Sequence, residues 1–276
     1  MTIAPRFFTV LALALTALAG ARPGLACGDV DGPCQVSDGQ YYAHVPGGWD
    51  GASPLPTAVY FHGYSSTGAA VMGNRGLVDA FDRLGVLLIA PDGRNRTWAH
   101  VGSPSQARDE LAFMDAVMAD VHARWPVDGG RLWVTGFSQG GSMAWDMACY
   151  RGEEFTAFAP ISGAFWTPLP ETCPSGPVNL RHVHGTTDTV VPMAGRPIRQ
   201  TYRQGDVMQG MAVWRQADGC PETPDAIERD GRLTCQVWRS CTSGRELQLC
   251  LHDGGHTPLP GWVEDAYRWV EHVSHG

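Results

Sequence analysis

No stretch of the 276-residue chain supplies the twenty or so consecutive apolar residues that a membrane span requires. It has no C-x-x-C pair, so its cysteines do not read as a zinc site and no metal is expected. Its basic residues are scattered, and 28 Asp plus Glu outweigh 20 Lys plus Arg. That balance argues against nucleic acid and anionic membrane surfaces as partners. There is no Pro/Ser/Gly linker, internal repeat or low-complexity tract, and no long apolar insertion of the kind that forms a lipase lid. About 250 residues without a divider suit one large domain, expected over residues 27–276.

The apolar run from Phe7 to Gly20, with Arg6 before it, is too short to span a membrane and reads as an export signal over residues 1–26. Small Gly24 and Ala26 place the cut after Ala26, leaving Cys27 first and the mature protein secreted or periplasmic. Lipoprotein anchoring at Cys27 is the alternative, weakened by Gly24 where a lipobox carries Leu. All eight cysteines follow the signal, an even number that in an exported chain implies disulfides. Thr234 to Arg239 and Glu246 to Leu251 alternate like two strands around a turn, and pairing Arg239 with Glu246 sets Cys235 opposite Cys250. The remaining expected pairs are Cys220 with Cys241, Cys149 with Cys173 and Cys27 with Cys34.

Apolar runs at Thr57–Phe61, Val86–Ala90, Leu132–Thr135, Phe158–Ile161 and Leu180–His184 end in turn residues, the pattern of central strands covered on both faces. Helical spacing appears between Ala107 and Trp125, where Pro126 stops it, and from Trp262 to Val273. This alternation predicts an α/β fold, a doubly wound and mostly parallel sheet with helices on both faces. Ligands in such sheets bind at the carboxyl ends of the strands.

One of those ends carries Gly136-Phe137-Ser138-Gln139-Gly140, a G-x-S-x-G between a strand and a helical pattern. A sharp turn there lifts a serine hydroxyl above the sheet. A serine needs a base and an acid to become a nucleophile, and in this fold class they follow it in the order acid, then histidine. Asp188, just past the His184-Gly185 strand end, and His256, in Gly255-His256-Thr257, meet that order. His184 as base and Asp206 or Asp253 as acid are the rivals; His184 lies on the strand side of Gly185 and suits a structural histidine. Backbone N–H groups of Gln139 and Tyr64 are the expected oxyanion donors, with His62 holding the second loop. Trp98, Trp166 and Trp262 are candidates for an aromatic substrate wall, with core packing as the competing role for each.

His62-Gly63, Gly136 to Gly141, His184 to Pro192 and Gly255-His256-Thr257 together resemble the secreted esterases grouped as polyhydroxybutyrate depolymerase and feruloyl esterase-like proteins. The likeness spans about residues 40 to 270. It implies an α/β-hydrolase fold and carboxylic ester hydrolysis without a cofactor, with Ser138, Asp188 and His256 as nucleophile, acid and base. Two loops depart from the family: Thr257-Pro258-Leu259-Pro260-Gly261-Trp262 is longer after its histidine, and Tyr64 to Gly68 lacks the usual Cys and Gln. The expected substrate is therefore an ester of hydroxycinnamoyl or hydroxyalkanoate type, small or polymeric, with acetylated sugars also open. A prolyl oligopeptidase-type peptidase or a non-catalytic cell-surface module are the other readings. The first would bring a propeller for which there is no room, and the second would be expected to have lost one of the three residues.

Overall fold

The computed structural model describes Met1, Cys27 and residues 32–275. The expected signal over 1–26, with its cut after Ala26, lies outside the described residues apart from Met1.

The order of elements is β1 (Cys34–Val36), β2 (Gly39–His44), β3 (Leu55–Phe61), α1 (Gly68–Gly73), α2 (Arg75–Arg83), β4 (Leu87–Pro91), α3 (Glu110–Arg124), β5 (Val127–Phe137), α4 (Gln139–Arg151), β6 (Ala157–Ile161) and β7 (Leu180–Gly185). A short hairpin of β8 (Arg196–Ile198) and β9 (Tyr202–Gln204) follows, then α5 (Val207–Asp218), β10 (Ala226–Asp230), β11 (Leu233–Trp238), β12 (Leu247–His252) and α6 (Trp262–Ser274). Ten strands form one sheet in the order β1-β2-β4-β3-β5-β6-β7-β12-β11-β10. The six central strands, β4 to β12, run parallel, and antiparallel strands close both edges.

The central strands are apolar throughout because alternate side chains enter two separate cores. Val59, Phe61, Leu132 and Val134 pack beneath α3, α4 and α5. Ala58, Tyr60 and Trp133 point the other way, onto α1, α2 and α6. Asp109 caps α3 by accepting from the N–H groups of Leu111 and Ala112, so the helix begins three residues after the start of the apolar pattern at Ala107. Helix α4 is buried along nearly its whole length. Crossing connections between parallel strands place the carboxyl ends of β3, β5, β6, β7 and β12 along the same end of the sheet, and the site is built there.

The four disulfides join Cys27 to Cys34, Cys149 to Cys173, Cys220 to Cys241 and Cys235 to Cys250. Cys235 faces Cys250 directly in the β11–β12 register, the partner that the alternation of the two runs suggested. Among the described residues, one grouping of potential metal ligands occurs, Cys27, Cys34 and Asp120, and its two sulfurs are consumed by a disulfide.

Candidate active site

Strand β5 ends at Phe137, and the chain reverses through Ser138 into α4. Ser138 holds φ 61° and ψ −122°, a region that a side chain occupies only when its surroundings impose it. Those surroundings are identifiable. The Ser138 N–H donates to the Ile161 carbonyl at 3.0 Å, and the Ser142 N–H donates to the Ser138 carbonyl at 3.1 Å. A Cβ on Gly140 would sit 1.9 Å from the Phe61 carbonyl oxygen, so only glycine allows α4 to start this close to β3.

The loops after β7 and β12 converge in the same way. The Thr186 and Thr187 N–H groups donate to the carbonyls of His252 and Gly254 at 2.8 and 3.2 Å. A Cβ on Gly185 would lie 2.3 Å from the Gly254 carbonyl oxygen, which makes this glycine a condition of the approach. The result brings the three residues singled out in sequence into one chain: Ser138 Oγ lies 2.8 Å from His256 Nε2, and His256 Nδ1 lies 2.6 Å from Asp188 Oδ2. The Asp188 side chain is fully buried, while His256 keeps slight exposure and packs its ring on Phe137 at 4.6 Å.

Asp188 Oδ1 accepts from the N–H groups of Val190 and Val191, each at 2.8 Å. Burial would raise its carboxyl pKa, but the hydrogen bonds from His256, Val191 and Val190 prevail and hold it below the usual carboxylate value. An ionised Asp188 accepts the Nδ1 proton of His256, leaving the Nε2 lone pair for the serine hydroxyl. This is the arrangement by which imidazole takes a proton from a hydroxyl.

The rivals lie elsewhere. Asp206 caps α5, and Asp253 is exposed and paired with Arg232. His184 is buried in a directional chain that no motif announced. Trp145 Nε1, which can only donate, gives its proton to His182 Nδ1 at 3.2 Å. His182 Nε2 must then donate to His184 Nδ1 at 2.9 Å, and His184 Nε2 to the Val191 carbonyl at 2.7 Å. Burial pushes the pKa of both imidazoles down, well down for His182, so they stay neutral, as one donor and one acceptor each requires.

Gln139 opens α4, where the first N–H groups have no intrahelical partner. The Tyr64 N–H makes no hydrogen bond within the protein among the described residues, although its neighbours Ser65 and Ser66 donate to Arg96 and Gly63 carbonyls. His62 braces that loop: Nε2 accepts from the Gly93 N–H at 3.0 Å and Nδ1 lies 2.8 Å from the Gly63 carbonyl. The Gln139 side chain is itself fixed, 2.8 to 3.0 Å from the Thr97 hydroxyl, a contact the sequence did not signal.

Ser138 and Gln139 open into a cleft of about 460 Å³ whose walls include Tyr64, Trp166, Val190 and Ile198. Of the three tryptophans considered for a substrate wall, Trp166 lines this cleft and stacks on His100, which Asp146 of α4 holds at 2.6 Å. Trp98 does not. It is fully buried, donates to the His62 carbonyl at 2.8 Å and packs edge-on against Phe61, because its strand-end loop turns inward. Trp262 begins α6 and packs on Tyr60 and Phe81, on the opposite side of the sheet from α4.

No protein-family model matches the chain. The probable feruloyl esterase C of Aspergillus niger is 30% identical over 272 residues, spanning 94% of this chain and 92% of that protein. Feruloyl esterase D of Neurospora crassa is 27% identical over 280 residues, spanning 91% and 88%. Among solved structures, an acetyl xylan esterase from Aspergillus awamori superposes with a TM-score of 0.63 at 16% identity over 85% of this chain and 94% of that one, a likeness of fold. With both sequences aligned almost end to end on a doubly wound sheet of this order, the chain belongs to the feruloyl esterase family and is a carboxylic ester hydrolase of the α/β-hydrolase fold.

Proposed function

We propose that the protein is an exported serine esterase that cleaves hydroxycinnamoyl-type esters through an acyl-enzyme on Ser138. The observation that carries this is the unbroken line from Ser138 Oγ through His256 to Asp188 at the mouth of an aromatic-walled cleft. His256 takes the Ser138 proton as Oγ attacks the ester carbonyl, and Asp188 stabilises the imidazolium that forms. Backbone N–H groups of Gln139 and Tyr64 receive the charge that develops on the carbonyl oxygen, the first with the positive end of α4 behind it. His256 then protonates the departing alcohol. Water, activated by the same histidine, releases the acid. None of these steps calls on a cofactor or metal. The names of the curated relatives support a feruloyl-type acyl group, and Trp166 with Val190 and Ile198 offers an apolar surface on which an aromatic acyl group would rest. Four disulfides fit an oxidising compartment outside the cytosol.

The test is hydrolysis of methyl ferulate, a p-nitrophenyl acyl-length series and a hydroxybutyrate oligomer by the purified protein and by Ser138→Ala. Methyl ferulate should be the preferred substrate, and the variant should lose on the order of 10³-fold or more in kcat. Equal activity in the two proteins would refute the mechanism, and preference for the oligomer would move the substrate to hydroxyalkanoates.

A further inference from the structure

The wall of the cleft facing Ser138 is the β8–β9 hairpin, tied down by the Thr167 N–H to the Arg203 carbonyl and the Gly205 N–H to the Phe165 carbonyl. Alternate residues of such a ribbon share a face. Arg196 and Ile198, with Gln204 opposite Arg196, are on the cleft side, and Arg199 joins them from the turn. Arg203 pairs with Pro197 in the register and binds the Ala194 carbonyl instead.

The cleft-side arginines differ from most of the others. The chain has no lysine, so all 20 of its basic residues are arginine, against 28 acidic ones, and ten of the eighteen arginines among the described residues pair with a carboxylate. Arg83, Arg108, Arg124, Arg151 and Arg239 are examples. Among the described residues, neither Arg196 nor Arg199 forms an ion pair, and no Asp or Glu lines the cleft. Arg196, which lines the cleft, is held by one bond, Nε to Gln204 Oε1 at 3.1 Å, and its terminal amines have no hydrogen bond among the described residues. Arg199 sits at φ 56°, an unusual conformation for a residue with a side chain, at the turn over the same space. Two arginines thus line the same cleft as Ser138, without a carboxylate partner among the described residues, in a chain of net charge −8.

We propose that the cleft selects esters whose alcohol carries a carboxylate, and that Arg196 and Arg199 bind that carboxylate while the ester lies over Ser138. The proposal rests on the hydroxycinnamoyl reading. There the acyl group's own carboxyl is consumed in the ester bond, so a carboxylate has to come from the alcohol, a hydroxy acid. Tyr64, Trp166 and Val190 remain to take the uncharged aromatic acyl group.

The probes are chlorogenate, the caffeoyl ester of quinic acid with its carboxylate free, and its methyl ester, which differs in that charge. Caffeate release is followed at pH 7 and low salt. The wild-type protein should show kcat/KM about tenfold higher for the free acid, through KM, and 0.5 M NaCl should shrink the ratio toward one, as expected for partly exposed charges. The ratio should collapse in Arg196→Gln/Arg199→Gln and persist in Arg203→Gln, on the other face of the same hairpin. A ratio of one or less in the wild type, insensitivity of the ratio to salt, or its survival in the double variant overturns the anion site. Cleavage of methyl ferulate with no preference for the acid refutes the site alone; failure to cleave any of these esters refutes the esterase reading together with it.

Discussion

At the scale of single residues, the least comfortable group lies away from the cleft. Asp218 ends α5 almost wholly buried, accepting from the Val178 N–H at 3.1 Å through Oδ1, while Oδ2 has no hydrogen-bond partner among the described residues. Burial raises its pKa to about 7, against the opposing pull of the Val178 bond and Arg245. A carboxyl whose folded pKa lies above its unfolded value favours folding when protonated. Its contribution is complete below the unfolded pKa near 3.8 and is lost as pH rises through about 7. Asp218→Asn keeps an acceptor for Val178 and removes the charge. Urea unfolding at pH 5 and pH 8 should therefore show the variant gaining roughly 2–4 kcal/mol on the wild type between the two pH values, at about 1.4 kcal/mol per pKa unit. A parallel pH dependence in the two proteins would mean that the Asp218 charge is not the cause.

Between elements, the chain from Trp145 through His182 and His184 to Val191 connects the helix behind the serine to the loop that carries Asp188. The Val191 N–H in turn holds Asp188 Oδ1, so losing the donor to its carbonyl should loosen the carboxylate that orients His256. His184→Phe is expected to lower kcat on methyl ferulate about tenfold with little change in KM, and to cost about 1–3 kcal/mol for the orphaned carbonyl. His184→Gln, which can both donate and accept, should recover part of kcat; no recovery would point to simple loss of packing. This chain also marks where the sequence stopped being legible. Ser138, Asp188 and His256 could be read because each follows an apolar strand closed by a turn, so its position on the functional face is set by topology. His182 and His184 are on the strand itself, where alternation says which face a side chain joins but not which partner it meets. The directions taken by Trp98 and Trp262 were hidden for a related reason, since a strand-end position does not say whether a loop folds inward. Strands β8 and β9 have three residues each, too few to show a period, and so the cleft wall with Arg196 and Arg199 had no sequence signature. Helix α5 was obscured by Gly210, which the structure explains: a Cβ there would lie 2.3 Å from Trp145.

For the molecule as a whole, the sheet fixes Ser138, Asp188 and His256, whereas the cleft wall depends on connections that the sheet does not hold. The segment between β6 and β7 is the clearest case. It leaves the sheet after Ile161, presents Trp166 to the cleft, and returns at Leu180 with the Cys149–Cys173 disulfide anchoring its middle to the end of α4. Ser175 adds bonds to the carbonyls of Ala148 and Cys149 at 2.7 and 3.0 Å. Cutting the disulfide frees a closed loop with a sequence separation of 24. The loop-entropy model puts that at about 3.5 kcal/mol, and a domain of this size shifts by about 2–4 °C per kcal/mol. Cys149→Ser/Cys173→Ser should therefore melt roughly 7–14 °C lower. Its kinetic effect should be selective: KM for methyl ferulate should rise as Trp166 loses its fixed backing, while kcat on p-nitrophenyl acetate, which is too small to need the aromatic wall, should stay within about twofold because Cys149 is at the far end of α4 from Ser138 and the strand ends carry neither cysteine. A proportionate loss on both substrates would instead place the disulfide's influence on Ser138 itself, through α4.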